Sequence, residues 1–116
     1  MNKPLRYADA RLRKNYQFNY VYKNGKCVSN EVCKVVFCKN KSGKLKVGFS
    51  VSKKFGKAVK RNRAKRRIKE VVGSFLTRLD AKNNYVFLPK EAALDAKFSD
   101  MKESMEKLLV KAGLLA

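Results

Sequence analysis

Apolar residues recur along this chain with two periods, one helical and one strand-like, and the changes between them outline its elements. The first eleven residues are polar and basic and predict an extended arm. Asn15 then suits a helix N-cap and Gly25 a left-handed stop, so residues 16–24 are expected to form a short helix. Phe18, Val21 and Tyr22 share one face of it while Tyr16 and Tyr20 lie on the other, which excludes a helix buried all round and makes Tyr16 and Tyr20 surface residues. Residues 31–39 are β-branched and aromatic enough for a strand, and Asn40 to Gly43 carry turn chemistry. In the partner strand, residues 45–52, Val47, Phe49 and Val51 point to a core. Gly48, Ser50 and Ser52 form a small, polar, open face with room for a ligand backbone.

Phe55-Gly56 interrupts the strand pattern, and residues 58–79 predict the longest helix. At 100° per residue, Ala64, Ile68, Val71, Val72, Phe75 and Leu79 make one apolar stripe, with Lys60, Arg63, Arg66, Arg67 and Lys69 outside it. Arg61 projects in the apolar direction, so the first turn should overhang the core edge. A further strand follows at residues 84–88. A last helix is expected from a Ser99 N-cap to Gly113, with Met101, Met105, Leu108, Leu109 and Ala112 facing inward and Asp100 and Glu103 at its positive end. Helices and strands are interspersed without regular βαβ alternation or repeats, which predicts a single-domain α+β sandwich over residues 1–116.

No stretch is apolar for the roughly 20 residues that span a bilayer, and the basic N-terminus lacks the apolar core of a secretory signal, so a soluble cytoplasmic protein is expected. Cys27, Cys33 and Cys38 are odd in number, lack C-x-x-C spacing and have no histidine to complete a zinc site. They are expected to fill buried or half-buried strand positions as free thiols.

Charge changes this picture most. Of the formal net +20, residues 1–69 contribute all: 22 Lys and Arg stand against Asp9 and Glu31, while residues 70–116 hold 7 basic and 7 acidic residues. A solvated surface would mix signs, so the asymmetry points to a phosphate-binding face rather than a membrane, for which exposed apolar clusters and a lipidation signal are missing. The run Lys53-Lys54-Phe55-Gly56-Lys57-Ala58-Val59-Lys60-Arg61-Asn62-Arg63-Ala64-Lys65-Arg66-Arg67-Ile68-Lys69 holds 10 basic residues in 17, with no acid between Glu31 and Glu70. Lysines at a helix N-terminus oppose the dipole, a conflict that a bound phosphate relieves. Arginines at 61, 63 and 66 offer planar forks for phosphate, and Asn62 could reach a sugar hydroxyl or base edge.

Val47-Gly48-Phe49-Ser50-Val51-Ser52-Lys53-Lys54, Gly56, Ala58-Val59 and above all Arg61-Asn62-Arg63-x-Lys65-Arg66 resemble the protein component of bacterial ribonuclease P. The likeness extends to Arg11-Leu12, to Phe18-x-x-Val21-Tyr22 before Gly25, and to Tyr85 through Leu88. It implies an α-β-β-β-α-β-α order with a left-handed βαβ crossover, the arrangement of the second domain of a small-subunit ribosomal protein. It also implies two surfaces. Catalytic RNA would meet the basic helix and nearby loop, carried over to Lys53, Lys54, Arg61, Asn62, Arg63, Lys65, Arg66 and Lys69, with Arg11 and Arg13 of the arm region. The 5′ leader of precursor tRNA would lie in a cleft at Phe18, Tyr22, Val36 and Ser50. Periodicity alone leaves Phe18 and Tyr22 open to either a core or a stacking role. The sequence departs from the family pattern at Arg67, where an apolar residue is usual, at Ala64, where Ile is, and at Lys90, where arginine is common.

A protein nuclease needs a histidine or other reactive base, or carboxylates clustered around divalent metal. This chain has no histidine, and its basic half offers only Asp9 and Glu31. The sequence therefore argues that hydrolysis is done by something else, which agrees with what the resemblance implies: an RNA-binding subunit, itself non-catalytic, of an endoribonuclease whose Mg²⁺ is held mainly by the RNA. The partners the resemblance implies are ribonuclease P RNA and precursor tRNA, with no protein partner. A ribosomal or RNA-chaperone type of structural RNA binder is the alternative.

Overall fold

The computed structural model describes residues 10–115, apart from the side chain of Lys54. Helix α1 (Asn15–Asn24) leads into strands β1 (Lys26–Ser29), β2 (Cys33–Lys39) and β3 (Lys46–Phe49). Helix α2 (Ala58–Gly73), strand β4 (Asn83–Pro89) and helix α3 (Phe98–Lys111) follow, so the element order is α-β-β-β-α-β-α. The four strands lie in the order β1-β2-β4-β3, antiparallel except for β3 and β4, which run parallel and are joined through α2.

Strand alternation sends side chains to two faces, and both faces are covered. Val35, Val47, Phe49, Tyr85 and Phe87 pack under α2 and α3 against Ile68, Val72, Met101 and Leu109. On the opposite face Val36, Cys38 and Val86 pack with Leu12 and Val21 under α1. The tyrosine hydroxyl of Tyr85 donates to Asp80 O at 2.7 Å, and burial pushes its ionisation up to about 12. Cys33 and Cys38 are buried as expected, and burial pushes the Cys33 thiol up to about 12. Cys27 is instead exposed, because β1 is an edge strand of which only Val28 turns partly inward.

The structure departs from the pattern reading at element ends. Of the predicted arm, residues 1–9 lie outside the described residues. Its end is anchored: Ala10 is buried, Arg11 bridges Val47 in parallel, and Leu12 N–H donates to Val47 O at 2.9 Å. Two apolar positions flanking one arginine are too short an alternation to stand out as a strand. Helix α1 is capped at Lys14, not Asn15, with Gln17 Oε1 accepting from the backbone N–H groups of Arg13 and Lys14 at 2.9 Å each. Gly25 is extended (φ −90°) and not left-handed. Strand β3 ends at Phe49, short of residue 52.

The longest helix stops at Gly73, not 79. Ser74 Oγ donates to Val71 O at 2.6 Å, and the stripe residues Phe75 and Leu79 reach the core through a 3-10 turn at Leu76–Arg78. Helix α3 begins after Lys97, not at Ser99. Beyond it Leu114 and Leu115 return to the core, Leu115 pairing with Leu79. Among the described residues, no helix is long and apolar enough to cross a membrane.

Arg67 faces away from solvent. Its Nε donates to Ala93 O at 2.7 Å and its Nη2 to Ala96 O, tying α2 to the turn Glu91–Leu94 and the residues after it. Hydrogen bonds from a charged donor contribute about 1.5–3 kcal/mol each, and less where, as here, the side chain is only partly buried. Arg67→Leu is expected to destabilise the fold by about 1–2 kcal/mol. It should leave the salt dependence of RNA binding unchanged, because this guanidinium is not free for phosphate. Urea unfolding and a salt titration of RNA affinity check the two halves of that expectation.

Candidate nucleic-acid interface

The basic surface is built on the junction between β3 and α2. After Ser52 the chain makes a 3-10 turn at Lys53–Phe55, with Phe55 N–H donating to Ser52 O at 3.0 Å. It then passes Gly56 at φ +137°, a conformation that L side chains rarely adopt. Helix α2 starts after Lys57 with no side-chain cap and no acid in its first turn. Its first amide groups therefore lie open beside the exposed Lys53, Lys57 and Lys60.

Along α2, Asn62, Arg63, Lys65, Arg66 and Lys69 are exposed, and Asn62, Lys65, Arg66 and Lys69 line a groove of about 440 Å³. Arg61, expected to be exposed where the first turn overhangs the core edge, is instead half-buried, and its Nε is buried without a hydrogen-bond partner among the described residues. The ion pairs Arg78–Glu106, Lys102–Glu106 and Lys107–Glu103 all lie in the electroneutral half of the chain. A surface this dense in guanidinium and ammonium groups is suited to the phosphates of a folded nucleic acid. Arg11 and Arg13 are exposed beside β3, and the side chain of Lys54 lies outside the described residues.

The second surface lies between α1 and the sheet. Asn15, Phe18, Asn19, Tyr22, Phe49 and Ser50 line a cleft of about 360 Å³. Phe18 is half-buried and Tyr22 is 39% exposed, so one ring forms the wall and the other stands at the mouth. Ser50 N–H donates to Phe87 O at 3.1 Å, extending the β3–β4 pairing beyond Phe49. Lys53 follows three positions on, so the basic turn starts close in the chain to the Ser50 edge of the cleft.

Two sequence expectations need correction. Val36, which the resemblance places in the leader cleft, is only 7% exposed and packs with Val21 in the second core, because α1 covers that face of β2. Gly48 does not border empty space: a Cβ there would stand 2.6 Å from Phe18 Cζ and 3.1 Å from Leu12 Cδ1, so its smallness admits the protein's own ring. The reading also omitted Asn15 and Asn19, polar residues on a helix judged by its apolar face. It omitted Lys34 as well, which the strand register places in one row with Ser29 and Leu88 on the same side of the sheet as Val36. Its position one residue before Val35 on an alternating strand was the available signal.

Comparison with known proteins agrees with these features. The sequence model of the Ribonuclease P family matches residues 7–113. A ribonuclease P protein component from Clostridium botulinum (strain Loch Maree) is 41% identical over 106 residues, covering 90% of this chain and 95% of the relative. One from Thermoanaerobacter sp. (strain X514) is 35% identical over 112 residues, covering 97% of each. Among solved structures, a Staphylococcus aureus RNase P protein mutant with defective mRNA degradation activity superposes with a TM-score of 0.80 at 33% identity, covering 93% of this chain and 92% of that one. The RNase P protein from Thermotoga maritima superposes with a TM-score of 0.74 at 30% identity, covering 85% and 94%.

Proposed function

Because the chain belongs to the ribonuclease P protein family, it is the protein component of an endoribonuclease that works with ribonuclease P RNA in tRNA processing, and we propose how its two surfaces divide that work. The basic junction binds the RNA subunit. Arg61, Arg63 and Arg66 grip phosphates with planar forks, Lys53, Lys54, Lys65 and Lys69 add point charges, and Asn62 reaches a sugar or base edge. Arg11 and Arg13 extend that surface along β3. The cleft holds the single-stranded 5′ leader of precursor tRNA, with bases stacked against Tyr22 and Phe18 and Ser50 at the exit toward the basic turn. Val36 supports the cleft from beneath.

The observation that carries this reading is continuity. An aromatic cleft ends at Ser50, a basic turn begins three residues later at Lys53, and the first turn of α2 carries Arg61, whose buried Nε has no hydrogen-bond partner among the described residues. A leader entering the cleft is thereby delivered to the surface that holds the catalytic RNA.

On this reading hydrolysis belongs to the RNA, and Mg²⁺ bound there supplies the charge stabilisation of the reaction. The protein's residues do not fit a catalytic metal centre: there is no histidine, and among the described residues no three of Cys, Asp and Glu come together. The polypeptide acts in the cytoplasm by neutralising crowded phosphates and by orientation, which raises the affinity for substrate and for Mg²⁺ held by the RNA.

In the reconstituted ribonucleoprotein, Tyr22→Ala is expected to weaken binding of precursor tRNA by about 5- to 10-fold, one lost base stack, while mature tRNA binds as before. Equal loss for both RNAs would overturn the assignment of the cleft to the leader.

A further inference from the structure

Helix α1 carries a second aromatic stripe, facing away from the leader cleft, that neither core uses. Tyr16 and Tyr20 stand one turn apart and are 70% and 52% exposed, and Lys23 continues the stripe. Beside them lies a groove of about 590 Å³ whose opposite wall is formed by Lys46 and Asn84. On the other side of Tyr20 a groove of about 350 Å³ runs over Phe37 and Lys39 to Lys26. Cys38, Asn84 and Lys46 form one row across β2, β4 and β3, so the two grooves follow the same edge of the sheet and Tyr20 stands between them.

The lining has one chemistry. Two tyrosine rings project where a flat partner can cover them, lysines 23, 26, 39 and 46 surround them, and the amides of Asn24 and Asn84 lie between. Among the described residues, no carboxylate lines either groove. A protein partner able to bury two tyrosines would also have to neutralise Lys23, Lys26 and Lys39. An unpaired RNA strand does both, with bases stacking on the rings and phosphates meeting the ammonium groups.

We propose that this trough is a second binding site for single-stranded RNA, separate from the leader cleft and meeting it only at Asn19, which borders both. It takes any base sequence, because the rings offer stacking and the lysines offer charge. The strand can come from an unpaired region of the RNA subunit or from a leader long enough to cross α1.

The test uses the full chain with Tyr16→Ala and Tyr20→Ala combined, and a second variant with both changed to Phe. Both side chains are mostly exposed, so the fold should survive, which circular dichroism verifies. An unstructured RNA of roughly 10 nucleotides is expected to bind the alanine variant at least about tenfold more weakly, and the phenylalanine variant nearly as well as the parent. The loss should appear with ribonuclease P RNA if the RNA subunit fills the trough, or only with long-leader precursor tRNA in the reconstituted complex if the leader does. Tyr22→Ala, acting in the other cleft, should add its own factor to a loss measured with precursor tRNA. Unchanged affinity of the alanine variant for all three RNAs would overturn the proposal, even if a protein were found to bind there. Equal loss in both variants would overturn the stacking mechanism.

Discussion

Replacing Arg61, Arg63 and Arg66 together by alanine is expected to weaken binding of ribonuclease P RNA by roughly a hundredfold or more at low salt, given about 1.5–3 kcal/mol for each charged hydrogen bond. The slope of log affinity against log salt should become shallower by roughly two to three, close to one released counterion per lost phosphate contact. The fold should be little affected: Arg63 and Arg66 are exposed, and Arg61 has no described partner at Nε whose loss would cost stability. If affinity falls while the slope stays the same, the three arginines act through shape and not through phosphate. Arg67 is the internal control, being basic, on the same helix and committed to Ala93 and Ala96.

Gly25→Ala should have the largest effect on stability. A Cβ at this position would press on the carbonyl oxygen of Val21 and stand 2.8 Å from that of Phe37 and 3.0 Å from Val36 Cγ1. Two of these neighbours are backbone, so α1 and β2 must move apart, loosening Val21 and Val36 in the second core. Such overpacking costs about 2–3 kcal/mol, a large part of the roughly 5–15 kcal/mol that holds a domain of this size together. The melting temperature should fall by about 10 °C. An unchanged urea midpoint would show that α1 is not held against β2 in this way. Since α1 also forms one wall of the cleft proposed to hold the leader, the same variant should bind precursor tRNA less well.

Gly25 also shows how far the sequence could be read. The glycine marks the helix end, but the reason is close approach of α1 to β2 and not a left-handed turn, and only tertiary placement reveals that. Gly48 and Val36 mislead in a related way. Alternation in β2 and β3 correctly separates two faces, yet it cannot tell a face open to a ligand from one covered by a single short helix.

The apolar stripe of α2 is correct in every buried residue and wrong about the helix end. A 3-10 turn after Ser74 keeps Phe75 and Leu79 directed inward, so periodicity outlasts the helix. Strand β1 has four residues, mostly exposed at a sheet edge, and leaves no pattern of its own. Arg67 reads as one more surface charge because its partners are carbonyls near residues 93 and 96, distant in sequence. The basic run was legible apart from Arg67, since a run of charge without acids needs no tertiary context. The trough at Tyr16 and Tyr20 was not, because half of its wall comes from β2, β3 and β4.

The central claim is that this chain binds RNA so that an RNA catalyst can cut. Its most direct test is 5′-leader removal from precursor tRNA by ribonuclease P RNA at low Mg²⁺, with and without the purified protein. The account predicts clear acceleration when the protein is added, and none by the protein without the RNA. Cleavage no faster than with RNA alone would contradict it.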